Sequence, residues 1–121
     1  MVVDDEPPMR AVVAGELRRR GYEVCEVDRG YVCASKVREG FRGIILMDVM
    51  MPVMDGWSTV RTLMKENMLS GNVICMLTGM TDPADQGEGL EEYIIDYLKK
   101  PFGGAELAEV VSRAEACLCA E

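Results

Sequence analysis

The sequence has 121 residues, of which 49% are hydrophobic, and a formal net charge of −8. This length fits one packed domain, so we expect residues 1–121 to form a single domain. The acidic charge disfavours direct binding to nucleic acid or to anionic membrane surfaces, because both depend largely on Lys and Arg. No apolar run approaches the roughly 20 residues of a transmembrane helix, and no signal peptide is visible.

The cysteines and histidines limit the chemistry further. The chain has five scattered cysteines and no histidine. This composition disfavours a zinc site and a disulfide framework, and it is typical of a protein in the reducing cytoplasm.

The hydrophobic pattern alternates between short strands and helices along the whole chain. The predicted strands are 1–3, 22–27, 44–48, 73–77 and 93–98. The predicted helices are 7–20, 31–39, 55–67 and a last helix that includes 107–118. A fifth, short helix is predicted at 81–89, where Gly87 and Gly89 weaken it by roughly 1 kcal/mol each relative to Ala. This alternation predicts βαβ units and a parallel sheet with helices on both faces.

The first helix is predicted to bury an apolar stripe. Its members recur at helical spacing, and they are Met9, Val12, Val13 and Leu17.

The central strand carries the first candidate for chemistry. Residues 44–47 form a short apolar run, and Asp48 follows it. Such a run is typical of a strand that is buried on both faces. Pro52 ends any continuation of the strand, and the pair Asp55-Gly56 indicates a turn or the start of a helix. Ligands of open α/β sheets bind at the carboxyl ends of the strands. This position favours a chemical role for Asp48 over a structural one.

Other strand ends carry polar groups as well. Asp4 and Asp5 follow the first strand, and Thr78 and Lys100 follow the fourth and fifth strands. Three carboxylates at one edge repel one another, and a hard divalent cation such as Mg²⁺ relieves that repulsion. We therefore expect Asp4, Asp5 and Asp48 to surround Mg²⁺.

This set of groups fits phosphoryl transfer. Asp48 can act as a nucleophile that forms an aspartyl-phosphate. Lys100, together with the cation, can neutralise charge on the phosphoryl oxygens, and the Thr78 hydroxyl can hydrogen-bond one of them. The backbone carbonyl of Met50 is placed to complete the metal shell.

The chain resembles the receiver domain of two-component response regulators. The residues that carry the resemblance occur in order and at the right spacings over essentially the whole chain. They are Asp4-Asp5, Asp48 with Met51-Pro52 and Asp55-Gly56, Thr78-Gly79 and Lys100-Pro101-Phe102.

The resemblance implies a fold and a mechanism. The fold is flavodoxin-like α/β, a doubly wound five-stranded parallel sheet of order 2-1-3-4-5 with five helices. A sensor histidine kinase or a phosphotransfer protein donates its phosphoryl group to Asp48. Asp5 and the Met50 carbonyl bind Mg²⁺ directly, and Asp4 assists through water. Thr78 and Lys100 contact the phosphoryl group.

The resemblance also implies a switch. On phosphorylation Thr78 moves toward the phosphate and Tyr97 turns inward, and the face around the fourth helix, fifth strand and last helix changes to signal to an effector protein. Such a domain catalyses only its own phosphorylation and dephosphorylation.

Three residues depart from the family pattern. Val53 stands where Gly is usual after the Pro, so the loop is expected to avoid a positive φ at this β-branched residue. Met50 and Met80 occupy the two positions that tune phosphate lifetime in the family. Since an apolar side chain orients an attacking water poorly, we expect slow self-dephosphorylation.

Other functions remain open on sequence alone. A Mg²⁺-dependent aspartyl phosphohydrolase usually needs an acid at the position of Met50. A flavin-binding module needs a phosphate loop after the first strand, but that segment is Asp5-Glu6-Pro7-Pro8. A receiver-like scaffold that no longer accepts phosphate is disfavoured by the complete set of site residues. The chain is expected to be either a stand-alone receiver or a segment of a larger protein.

Overall fold

The computed structural model describes residues 1–79 and 89–119. The strands are β1 (Val2–Val3), β2 (Glu26–Val27), β3 (Gly43–Asp48), β4 (Asn72–Thr78) and β5 (Ile94–Lys99). The helices are α1 (Pro7–Arg19), α2 (Gly30–Arg38), α3 (Gly56–Lys65) and α4 (Gly104–Cys119). One turn of 3₁₀ helix at Glu91–Tyr93 directly precedes β5.

The five strands form one parallel sheet in the order β2-β1-β3-β4-β5. The flavodoxin-like order implied by the resemblance is therefore confirmed. Because β1 and β3 are adjacent, the groups that follow them meet at the same edge of the sheet.

Helices cover both faces of the sheet. One buried cluster joins α2 and α3 to the sheet, and the other joins α1 and α4 to the opposite face. Successive residues of β3 enter different clusters, since Ile45 and Met47 belong to the first and Leu46 to the second. The strand is buried on both faces as its apolar run predicts, and Asp48 lies at its end.

The helix count is lower than expected in the described part of the chain. Residues 1–79 and 89–119 contain four α-helices, not five. The fifth was expected at Thr81–Gly89, and residues 81–88 of that segment lie outside the described residues. In the ranges that the structure covers, no helix is long and apolar enough to cross a bilayer.

Two local predictions are wrong. The second strand was expected at residues 22–27, but β2 is only Glu26–Val27 because its single neighbour, β1, offers two residues for pairing. Val12 was expected inside, yet it is 68% exposed. The buried face of α1 consists of Val13, Ala14 and Leu17, and the turn of about 100° per residue carries Val12 away from it.

Candidate functional site

The structure brings the acidic residues of two strand ends together. Asp48 is the last residue of β3, and Asp4 and Asp5 directly follow β1. One carboxylate oxygen from each of the three residues lies within 4.8 Å of the others. Asp4 and Asp48 are buried, whereas Asp5 is partly exposed. This arrangement offers a divalent cation an oxygen-rich site with one side open to solvent.

Lys100 provides a positive charge at the same edge. Its ammonium group donates a hydrogen bond to Asp48 Oδ1 at 3.0 Å, and its Nζ lies 3.8 Å from Asp4 Oδ2. The loop that carries Lys100 is attached to β4, because the Lys100 amide donates to the Thr78 carbonyl at 2.7 Å. The Lys100–Pro101 peptide bond is cis.

Asp4 is held in place by its neighbours, but one of its oxygens lacks a hydrogen bond. The Glu6 amide donates to Asp4 Oδ1 at 2.9 Å, and the Arg10 guanidinium donates to the Asp4 carbonyl at 2.8 Å. Asp4 Oδ2 is buried without a hydrogen-bond partner. Buried polar atoms are nearly always hydrogen-bonded, so a buried carboxylate oxygen that lacks a hydrogen bond and belongs to a cluster of three acids fits a bound cation.

Burial and charge alter the protonation of the central pair. Burial raises the pKa of Asp48 from 3.8 to about 6. The Lys100 ammonium and a hydrogen bond from the Met50 backbone oppose this rise, while the Asp4 charge adds to it. For Lys100, burial acts to lower the pKa, but the hydrogen bond to Asp48 and the nearby acidic charges outweigh burial and raise it. The lysine therefore stays charged beside the carboxylates.

The start of α3 packs directly against the end of β3. The Asp55 side chain caps the helix by accepting from the Ser58 amide at 2.8 Å, and the Gly56 amide donates to the Val49 carbonyl at 2.9 Å. A Cβ on Gly56 would lie 2.4 Å from the Asp48 carbonyl oxygen. Gly56 thus permits the close approach that positions Asp48. The sequence indicated only a turn or helix entry here, because this approach involves the backbone of a residue on another element.

Val53 adopts the conformation that its residue type disfavours. Its φ is +69°, so the expectation that the loop avoids a positive φ at this position is wrong. The Met54 amide donates to the Pro52 carbonyl at 2.7 Å, which makes Val53 the centre of a tight three-residue turn. The Val53 side chain is fully exposed, so no packing opposes this backbone geometry.

The remaining predicted site residues lie at or near this edge. Thr78 is the half-buried last residue of β4. Met50, two residues after Asp48, is 56% exposed. Tyr97 on β5 is 45% exposed, and its ring centroid lies 6.3 Å from that of Trp57, with 48° between the ring planes. Met80 lies outside the described residues.

Comparisons with known proteins agree with this geometry. The family model of the response regulator receiver domain matches residues 1–112. This chain belongs to the response regulator receiver domain family. Receiver domains act in two-component signalling, and their general function is to be phosphorylated on an aspartate.

Individual relatives show how far the likeness extends. The receiver domain is 36% identical over 107 residues to the transcriptional regulatory protein GltR of Pseudomonas aeruginosa. The aligned residues cover 88% of this chain and 44% of GltR. It is 32% identical over 107 residues to the phosphate regulon transcriptional regulatory protein PhoB of Escherichia coli, at 88% and 47% coverage. The chain therefore spans less than half the length of these curated relatives.

A solved structure matches over the full length. The crystal structure of a CheY-like response regulator receiver domain protein from Methanospirillum hungatei has a TM-score of 0.95 and 35% sequence identity. The match covers 100% of this chain and 96% of that one.

Proposed function

We propose that Asp48 is the phosphoacceptor of this receiver domain, and that a histidine kinase or a phosphotransfer protein is the donor. The observation that carries the proposal is the Asp48 carboxylate at the carboxyl edge of the sheet, 3.0 Å from the Lys100 ammonium and beside Asp4 and Asp5. A buried carboxylate next to a fixed cation can attack a phosphoryl group without losing a large hydration shell.

The proposed reaction transfers one phosphoryl group. A carboxylate oxygen of Asp48 forms a bond to phosphorus while the bond from phosphorus to the donor nitrogen breaks, and the freed imidazole of the donor takes up a proton. Lys100 would then pair with the phosphoryl oxygens, and the Thr78 hydroxyl would donate to one of them. The domain would catalyse only its own phosphorylation and dephosphorylation.

Mg²⁺ fits the acidic cluster of Asp4, Asp5 and Asp48. The support is the proximity of their carboxylate oxygens and the buried Asp4 Oδ2, which lacks a hydrogen bond. With the Met50 carbonyl, these residues would hold Mg²⁺, which would supply positive charge to the transferring phosphoryl group. The direct ligands would be Asp5, Asp48 and the Met50 carbonyl, with Asp4 acting through water.

The proposed output is a change in the surface around β5 and α4. Thr78 and Tyr97 are the proposed switch residues, and an effector protein is the proposed partner. Tyr97 is partly exposed and close to Trp57, so it has room to change its orientation. The net charge of −8 supports a protein partner over direct contact of this domain with nucleic acid. The four described cysteines are free thiols, which supports the cytoplasm as the proposed compartment.

Intact-mass analysis tests the acceptor. The protein is incubated with Mg²⁺ and acetyl phosphate, and Asp48→Asn serves as the matched control. We expect one added phosphoryl group on the wild type, and none on the variant or without Mg²⁺. No adduct with any phosphodonor, combined with no Mg²⁺ response of Trp57 fluorescence, would support a receiver-like scaffold instead.

The lifetime of the phosphoryl group tests the role of Met50. Because an apolar side chain orients an attacking water poorly, we expect slow loss of phosphate from the wild type and faster loss from Met50→Asn and Met50→Glu. The half-lives are measured by intact mass after the donor is removed. Equal or slower loss from the variants would contradict this expectation.

A further inference from the structure

Met50 differs in exposure from the methionines beside it. It is 56% exposed, whereas Met47 and Met51 are 0% and 8% exposed. Among the methionines that the structure describes, Met50 alone is well exposed, and the others are buried or half-buried. A peroxide dissolved in water therefore reaches the Met50 thioether far more readily than it reaches its neighbours.

The position of Met50 couples its side chain to the site. It follows Asp48 by two residues, and its backbone is close enough to the Asp48 carboxylate to act against the rise in the pKa of that group. The Met50 backbone thus lies beside the reacting carboxylate, and its side chain is exposed to solvent. A chemical change in the side chain thus occurs in contact with solvent and only two residues from the carboxylate that would carry the phosphoryl group.

We propose that Met50 is an oxidation site through which peroxide shortens the lifetime of the phosphoryl group on Asp48. The inference rests on the proposed function. Hydrogen peroxide transfers one oxygen atom to the thioether, which loses two electrons and becomes a sulfoxide, while the peroxide is reduced to water. Thioether sulfur accepts hydrogen bonds only weakly, but a sulfoxide oxygen is polar and accepts them well.

The new acceptor changes the hydrolysis step. Water forms a bond to phosphorus while the bond from phosphorus to the Asp48 oxygen breaks, which gives the free carboxylate, phosphate and a proton that passes to solvent. The sulfoxide oxygen holds this water by accepting a hydrogen bond from it. A thioether leaves the same water unheld, so oxidation converts a slow hydrolysis into a faster one.

The buried methionines distinguish this effect from general damage. Met47 belongs to the packed core, and a polar sulfoxide there would disrupt the fold. Oxidation at Met50 adds the polar group to a solvated position, so the fold persists. Near-UV circular dichroism after oxidation separates the two cases.

Peptide mapping provides the first part of the test. The full chain is treated with a limiting amount of hydrogen peroxide, and the sulfoxide content of each methionine is followed by mass spectrometry. We expect Met50 to oxidise well before Met47 and Met51, with an unchanged near-UV spectrum. Oxidation of Met47 or Met51 at the rate of Met50 would overturn the proposal. A Met80→Leu variant run in parallel removes the other methionine that follows a site residue by two positions.

Phosphoryl lifetime provides the second part. Each protein is phosphorylated with acetyl phosphate, and its half-life is compared before and after oxidation. We expect a several-fold shorter half-life for oxidised wild type, recovery after treatment with methionine sulfoxide reductases, and no response in Met50→Leu. Met54→Leu, a matched control in the same loop, is expected to respond like the wild type.

The outcomes separate this inference from the function on which it rests. A phosphoryl adduct with the same half-life before and after oxidation of Met50 overturns the inference alone. A response that persists in Met50→Leu also overturns it. No adduct on the unoxidised protein overturns the proposed function and this inference together.

Discussion

Asp48 lies in surroundings that favour the protonated form of its carboxyl group. Burial raises its pKa to about 6, even with Lys100 at 3.0 Å. Between about pH 4 and pH 6 the folded protein binds more protons at this residue than the unfolded chain does. The contribution of Asp48 to stability is therefore fully present below about pH 4 and is lost as the pH rises through about 6.

A comparison of wild type with Asp48→Asn measures this effect. The variant lacks the titrating carboxyl group. We therefore expect the difference in free energy of unfolding, variant minus wild type, to increase by about 1–3 kcal/mol from pH 4 to pH 7 without Mg²⁺. Denaturant titrations at several pH values provide the measurement. A difference that is independent of pH would show that Asp48 titrates at its ordinary pKa.

Val53 stores strain at an exposed position. Its φ of +69° is unfavourable for a β-branched residue, and its side chain forms no buried contacts that offset this cost. Asn67 also has a positive φ, of +56°, but asparagine adopts this region more readily.

Replacement of both residues by glycine separates strain from flexibility. We expect Val53→Gly to raise the free energy of unfolding by about 0.5–1 kcal/mol, since relief of strain exceeds the added entropy of the unfolded chain. Asn67→Gly is the control and should gain less. Chemical denaturation measures both free energies of unfolding. A loss of stability in Val53→Gly would contradict the claim that the Val53 backbone is strained.

At the scale of elements, the contact between α3 and β3 positions the site. The α3 N-terminus approaches the end of β3 so closely that Gly56 has no room for a Cβ beside the Asp48 carbonyl. The Asp55 cap fixes the first turn of the same helix. The helix start and the acceptor are therefore placed by one contact.

Two glycine-to-alanine variants test this contact. Gly56→Ala places a methyl group 2.4 Å from a backbone oxygen, so we expect a loss of about 1–3 kcal/mol and a lower yield of phosphorylation. Gly15→Ala in α1 meets no atom within 4 Å and should gain up to about 1 kcal/mol. Thermal unfolding and intact mass measure both effects. Equal stability of the two variants would show that α3 can move away from β3.

At the scale of the whole molecule, ligand binding and folding are linked through the acidic cluster. Asp4 and Asp5 follow β1 and Asp48 ends β3, so a cation held by this cluster binds the folded state and not the unfolded chain. Folding also forces these like charges together, and a cation relieves that repulsion.

Mg²⁺ should therefore stabilise the protein. At a concentration of 100 times its Kd, we expect the free energy of unfolding to rise by about 2.7 kcal/mol. Asp5→Asn should reduce this gain, whereas Glu6→Gln, which changes the adjacent exposed acid, should retain it. Thermal unfolding with and without Mg²⁺ provides the measurement, and an equal loss in both variants would place the ion elsewhere.

Local sequence patterns predicted much of the fold and most of the candidate site. The apolar run before Asp48 identified a buried strand, because both faces of a central parallel strand must be apolar. The acids after the first and third strands were predicted to meet, and the structure places them within 4.8 Å. The resemblance to receiver domains added the strand order, which the sheet confirms.

Other features depended on contacts between distant parts of the chain. The length of β2 depends on the two residues that β1 offers, and the exposure of Val12 depends on how α1 is rotated against the sheet. The positive φ of Val53 is also not what a β-branched residue predicts.

The sequence alone determined the alternation of strands and helices, the acids at the strand ends and the family resemblance. These properties follow from residue type and spacing, which act over a few neighbouring residues. Three features of the site follow from folding: Asp4 Oδ2 lacks a hydrogen bond, Gly56 gives room to the Asp48 carbonyl, and burial raises the pKa of Asp48. Each of these depends on distances between groups brought together by folding, and local sequence does not specify those distances.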